Sequence, residues 1–229
     1  MSDDDLEAAE PVSAEIEAYH HILRRIRRGE LSPGARVRTE DVAGAVGLSR
    51  QPVREAIRRL EAEGYLSSRP NHGAIVSKYT PAQLMELFEI RASLEGLSAR
   101  VATSVLEPAA IDALESMLTR LEAAGSQTDA WLDAHGEFHL QLALSAGRPR
   151  LAREIARLHA ALEPYLRLWY VHTGTPTHSR AEHVGLLAAV RSGYPGHAEE
   201  VMRDHVLETA PQIIADLEAT GQATLNLIT

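Results

Sequence analysis

The stretch LSRQPVREAIRRL, residues 48–60, carries Arg50, Arg54, Arg58 and Arg59 against a single carboxylate, Glu55. Val53, Ile57 and Leu60 recur in it at helical spacing, so one face is apolar and the rest is basic. Ser49 is a capping residue type. Pro52 falls in the first turn, where its missing N–H costs little, and Gly64 ends the run. The spacing predicts a helix over about 50–63. Such a helix is out of keeping with the whole chain of 229 residues, whose formal net charge is −9.

Upstream, Thr39 can cap a helix from Glu40 to Val46, and Gly47 turns the chain into the arginine helix. Before that, Ile16, Tyr19, Ile22, Leu23 and Ile26 mark a helix over about 13–29, stopped by Gly29 and LSPG (31–34). Downstream, YLSSR and AIVSK flank PNHG (70–73), the pattern of a β-hairpin. Three helices followed by a two-stranded ribbon outline a winged helix-turn-helix over 13–79. Residues 1–12 are acidic and poor in large apolar side chains, which predicts a disordered N-terminus.

Charge divides in the same way. Residues 19–80 hold twelve Lys+Arg against six Asp+Glu, whereas residues 81–229 hold eleven against nineteen. A basic module before a larger acidic one suits nucleic-acid contact by the first part alone. Cysteine is absent, which excludes a disulfide framework and thiolate metal sites and fits a reducing compartment. No apolar run reaches a membrane span, and the acidic start is unlike a signal peptide. These features predict a soluble cytoplasmic protein with no membrane partner.

From Thr80 onward the pattern is helical. Thr80-Pro81 is a cap followed by a first-turn proline, opening a helix to about 105. Further helices fit 108–124, 128–146, 149–172, 179–192 and 195–219, with a kink expected at Pro211. The fold class is therefore mainly α. An N-terminal winged helix-turn-helix with a small β-hairpin precedes a C-terminal antiparallel all-helical bundle over 80–219, and 220–229 form a tail.

In a helix-turn-helix the second helix enters the major groove and its N-terminal residues meet base edges. Arg50, Gln51 and Arg54 occupy that position. Arginine can bond guanine O6 and N7 together, and glutamine adenine N6 and N7. His72 and Gly73 at the hairpin tip can reach the adjacent minor groove. In the bundle, His135 and His139 are spaced i,i+4 and project from one helix face, a spacing that suits two nitrogen ligands on one metal ion. His183 and His205 fall on the last two helices and can face the same interior. Gly136 stands where a metalloprotease HExxH motif would have glutamate.

The runs GELSPGARV, VAGAVGLSRQPVREAIRRLEAEGYL and PNHGAIV resemble the DNA-binding domain of GntR-family bacterial transcription regulators over residues 19–78. The resemblance implies base reading by Arg50, Gln51 and Arg54, with His72-Gly73 as wing tip. Glu40 stands where many members have arginine. LFEIRASLEGLSARVA (87–102), EFHLQLALSAG (137–147), SRAEHVGLLAAVRSG (179–193) and AEEVMRDHV (198–206) resemble the helical FCD domain of the FadR-type branch. There one Asp and three His commonly hold a divalent metal that helps bind a small carboxylate effector. By that resemblance His139, His183 and His205 match the three histidines. His135 takes the aspartate's place and ranks above Asp133, and Arg148 replaces a usual asparagine.

Four imidazoles without a carboxylate favour Zn²⁺ or Ni²⁺ over Mg²⁺ or Ca²⁺. Arg91 can pair with an effector carboxylate, and Arg167, near Trp169 and Tyr170, is a second effector-binding candidate. The reading is a homodimeric regulator, a repressor, on a near-palindromic double-stranded DNA operator, governed by a small organic acid and not an enzyme. Two alternatives stand beside it. One is a metal-free effector-binding or metal-sensing regulator. The other is a metal-dependent hydrolase with an accessory DNA-binding domain.

Overall fold

The computed structural model describes residues 13–69, 73–125, 127–174 and 179–226, with side chains 69, 179, 180 and 221–226 outside the description. Among the described residues the order is α1 (Ala14–Arg27), β1 (Arg36–Val37), α2 (Thr39–Val46), α3 (Arg50–Glu63), β2 (Leu66–Arg69) and β3 (Gly73–Val76). Helices follow: α4 (Pro81–Thr103), α5 (Pro108–Ala124), α6 (Thr128–Ser145), α7 (Pro149–Thr173), α8 (Ser179–Arg191) and α9 (Pro195–Asn226).

The first module closes on one apolar core. Tyr19, Ile22 and Ile26 of α1 pack with Val42 of α2, Val53, Ile57 and Leu60 of α3, and Leu66 and Val76 of the sheet. The hairpin runs as expected, with Leu66 opposite Val76 and Arg69 opposite Gly73. A third strand, β1, joins the other edge of β3, pairing Arg36 with Ile75 and Val37 with Ala74. Two residues are too few to show period-2 alternation, so β1 carries no local signal.

Thr39 does not cap α2. It is the first helical residue, Arg38 stands at the cap without a side-chain bond, and Glu40 and Asp41 complement the helix dipole instead. Ser49 occupies the cap of α3, also without a side-chain bond. Thr80 does cap α4: its hydroxyl accepts from the Gln83 N–H while Gln83 bonds back to the Thr80 N–H, a complete capping box.

The bundle has a separate core built on Leu84, Phe88, Leu114, Phe138, Leu142, Leu162, Leu186, Met202 and Ile213. α9 continues through Pro211 as far as Asn226, beyond the expected end at 219; the sequence after Pro211 is rich in strong helix formers. Residues 1–12, expected to be disordered, and 227–229 of the expected tail lie outside the described residues.

α4 and α9 cross closely at Gly96. A Cβ there would meet the Arg203 side chain at 2.5 Å and the Glu199 carbonyl at 3.1 Å. Gly96→Val is therefore expected to destabilise the bundle by about 1–3 kcal/mol through overpacking, read as a lowered urea midpoint.

Candidate nucleic-acid interface and candidate metal centre

On α3 the apolar residues Val53, Ala56, Ile57 and Leu60 are buried, and Arg50, Gln51, Arg54, Arg58 and Arg59 stand exposed. Their surroundings differ. Arg59 is taken up within the protein, 3.0 Å from Glu63, 3.6 Å from Glu15 and 4.3 Å above the Tyr19 ring. Gln51 donates to Glu55 at 2.8 Å, a bond a base edge can replace. Arg50 lies 3.6 Å from Glu40, with both side chains more than half exposed. Arg54 and Arg58 line a groove with Arg36, Arg38, Ser68 and Gly73. Arg36 and Arg38 were not expected there. Strand β1 brings them beside the recognition helix, and only tertiary pairing reveals it. Gly73 is exposed with φ +70, a conformation glycine adopts freely. His72 lies outside the described residues.

In the bundle, one ligand atom from each of His135, His139, His183 and His205 falls within 4.8 Å of the others. His135 and His139 come from α6, His183 from α8 and His205 from α9, and all four are buried. The His139 Nε2 is 3.3 Å from His183 Nε2 and 3.4 Å from His205 Nε2. A tetrahedral ion with Zn–N bonds of about 2.0–2.1 Å would hold its ligand nitrogens about 3.3–3.4 Å apart, so these spacings fit.

Behind His139 lies Glu95 of α4, which the sequence reading missed. Its carboxylate takes a hydrogen bond from His139 Nδ1 at 2.5 Å, from His159 Nε2 at 2.8 Å and from Arg91 Nε at 2.5 Å. A carboxylate only accepts, so His139 carries its proton on Nδ1 and turns the Nε2 lone pair into the cluster. Carboxylate support of a ligating histidine is the usual outer layer of a metal centre. Burial favours a neutral Glu95 carboxyl, but Arg91, His139 and His159 hold it well below the ordinary carboxylate range. Burial pushes His139 down to about 3 against the pull of Glu95, and it lowers His135 and His159 too. These three imidazoles are neutral at pH 7, the form that binds metal. Trp131 stacks on His135 with ring centroids 4.7 Å apart.

A cavity of about 80 Å³ opens on the cluster, lined by Arg91, His135, His183, His205, Trp169 and Tyr170 among others. Arg91 thus meets both the cavity and Glu95. Arg167 does not face it. Its guanidinium pairs with Asp129 and lines a separate cleft with Arg24, Arg27 and Arg28 of α1. At 100° per residue, Arg167 projects well away from Leu166 and Trp169, which line the histidine cavity. Asp133 pairs with Arg27 at 3.0 Å, and Arg148 is exposed at the cap of α7; neither lines the cavity.

The family model for bacterial regulatory proteins of the gntR family matches residues 15–76, and the FCD domain model matches residues 86–208. The chain belongs to the GntR family. It is similar to a probable D-xylose utilization operon transcriptional repressor of Paenarthrobacter nicotinovorans, 31% identical over 192 residues that cover 83% of this chain and 84% of that one. It is also similar to the transcriptional repressor RspR of Escherichia coli K12, 27% identical over 210 residues and 91% of each chain. Escherichia coli McbR/YncC shares the fold at a TM-score of 0.75 and 24% identity, over 90% of this chain and all of that one. This GntR-family member is a DNA-binding transcription regulator with an FCD effector-binding domain, and its relatives are regulators rather than enzymes. No described helix is long and apolar enough to cross a membrane.

For this regulator Glu40 has a measurable consequence. Its carboxylate lies 3.6 Å from Arg50 and adds negative charge beside it. Glu40→Gln is expected to tighten duplex binding about 2- to 5-fold at low salt, since an exposed pair is worth about 0.2–1 kcal/mol. A salt-titrated binding isotherm reads the gain, which should fade as ionic strength rises.

Proposed function

We propose that the regulator represses transcription as a homodimer, with Arg50, Gln51 and Arg54 reading operator bases and the wing at Gly73 in the neighbouring minor groove. Its DNA affinity is set by a small carboxylate bound at a divalent metal held by His135, His139, His183 and His205. The observation that carries the effector reading is the approach of the His183 and His205 Nε2 atoms to within 3.3 and 3.4 Å of the His139 Nε2, beside Arg91 and a cavity. The donor set is all nitrogen, which suits Zn²⁺ or Ni²⁺. When bound, such an ion would supply positive charge to an anion in the adjoining cavity.

The protein's own residues do the rest. Glu95 fixes the His139 tautomer, Trp131 and Tyr170 wall the site, and Arg91 offers a second cation to a carboxylate. A cavity of about 80 Å³ is well below the roughly 300–1,000 Å³ of drug-sized pockets, so the effector it suits is small. A ligand shifts DNA affinity only by its differential binding to the two arrangements of the domains.

The test is thermal unfolding of zinc-loaded protein against a panel of small mono-, di- and tricarboxylates, followed by operator binding with each hit. At least one acid should raise the melting temperature of the wild type and change its operator affinity, and do neither in His139→Ala. A panel without effect on the wild type, or with the same effect on both proteins, would contradict the reading.

A further inference from the structure

The junction between the two modules holds a charged cluster that the histidine centre does not use. Arg27, in the last turn of α1, lies 3.0 Å from Asp133 of α6 and 3.0 Å from Glu163 of α7. Tyr65, just past α3, donates its hydroxyl to Glu163 at 3.2 Å. The Glu163 side chain is 15% exposed and that of Arg27 36%, so this pair is screened less than a fully exposed one. Burial works against the Arg27 charge, yet Glu163, Tyr65 and Asp133 more than offset it and raise its pKa. Gly64 (φ +94), next to Tyr65, rests on α7 so closely that a Cβ would sit 3.0 Å from the Arg157 carbonyl.

The position of the two acids gives the cluster its meaning. Asp133 is two residues before His135 on α6. Glu163 is one turn after His159 on the same face of α7. All of them border one interdomain cavity of about 290 Å³, with His135 and His159 on one side and Arg27 and Tyr65 on the other. Elsewhere the modules meet beside the covalent connection, where the Tyr79 N–H donates to the Tyr165 hydroxyl at 2.6 Å. Arg27 is thus a second attachment, away from that connection and next to the histidines.

Resting on the reading of the histidine cluster as the effector centre, we propose that Arg27 is the positioning residue by which the FCD domain holds the DNA-binding domain. Small movements of α6 and α7 at His135 and His159 displace Asp133 and Glu163, and through Arg27 they re-aim α1 and the recognition helix. Guanidinium geometry matters here, because one Arg27 bridges two carboxylates on two helices, which a lysine ammonium does less well.

The full-length protein tests this with Zn²⁺ alone as probe, in wild type, Arg27→Ala and Arg27→Lys. Operator affinity is measured with saturating Zn²⁺ and with chelator, and bound zinc is counted. The chain has no cysteine, so Ala45→Cys and Ser116→Cys can carry spin labels for the interdomain distance, diluted with unlabelled chains to remove signals between protomers. The wild type should show at least a 5-fold zinc effect on affinity. Arg27→Ala should bind the same zinc, show a ratio within 2-fold of one and broaden the distance distribution; Arg27→Lys should fall between. A zinc effect undiminished in Arg27→Ala, or an unchanged distance distribution, overturns the clamp. If the wild type binds no zinc, the effector reading fails instead, and the distance measurement still decides whether Arg27 holds the domains.

Discussion

Glu95→Gln is expected to destabilise the bundle by about 3–5 kcal/mol, the cost of leaving one member of a buried ion pair uncompensated. Glu95 is 1% exposed and Arg91 3%, so neither charge is relieved by solvent. Three donors converge on this carboxylate, from Arg91, His139 and His159. The neutral amide leaves the Arg91 charge buried and presents an N–H₂ to at least one of those donors. Urea unfolding at pH 7 should show the midpoint lowered by at least about 1 M, given a slope of roughly 1–3 kcal/mol per M. Replacing both partners with apolar residues of similar volume, as in Arg91→Met with Glu95→Leu, should recover part of the loss: neither charge then remains to be desolvated, but the His139 and His159 N–H groups still lack their acceptor. A loss under about 1 kcal/mol in the single variant would mean that Glu95 does not hold the pair. The same variant should bind metal about 10- to 100-fold more weakly, since the support behind His139 is gone.

Arg54→Ala is expected to weaken operator binding by about 1–3 kcal/mol, or about 5- to 150-fold, and to relax preference at one base position. Arg54 is exposed on the recognition helix and lines the groove it shares with Arg36 and Arg38, where a duplex can reach it. Arg59→Ala is the contrast. That side chain is engaged by Glu63, Glu15 and the Tyr19 ring, so its removal should cost little on either operator or scrambled duplex. Fluorescence anisotropy with both duplexes at matched salt separates base reading from charge alone. Equal losses for Arg54→Ala on the two duplexes would assign it to phosphate contact.

The sequence was most informative where a candidate site lies on a single helix. The recognition helix and the His135/His139 pair could be read from spacing, because a helix fixes which residues share a face. The pairing of those histidines with His183 and His205 needed either the family resemblance or the fold, since α6, α8 and α9 meet only in the bundle. Glu95 illustrates what was missed. Its i,i+4 spacing from Arg91 was visible, but that pattern usually marks a solvated helix face, and nothing local said that both would be buried. Along α7 the acid one turn from His159 is Glu163, yet the hydrogen bond His159 makes goes to Glu95 on another helix. Arg167 is near Trp169 and Tyr170 in sequence, but its pairing with Asp129 on another helix draws it to the cleft beside α1. β1 and the Arg27 junction were illegible for the same reason, being made by pairing between distant segments.

The most direct test of the effector account is equilibrium dialysis of full-length, metal-stripped protein against Zn²⁺, with bound metal counted by mass spectrometry. The account predicts one ion per chain for the wild type and none for His139→Ala at the same free zinc. Substantially less than one ion on the wild type, or retention of the ion by His139→Ala, would contradict it.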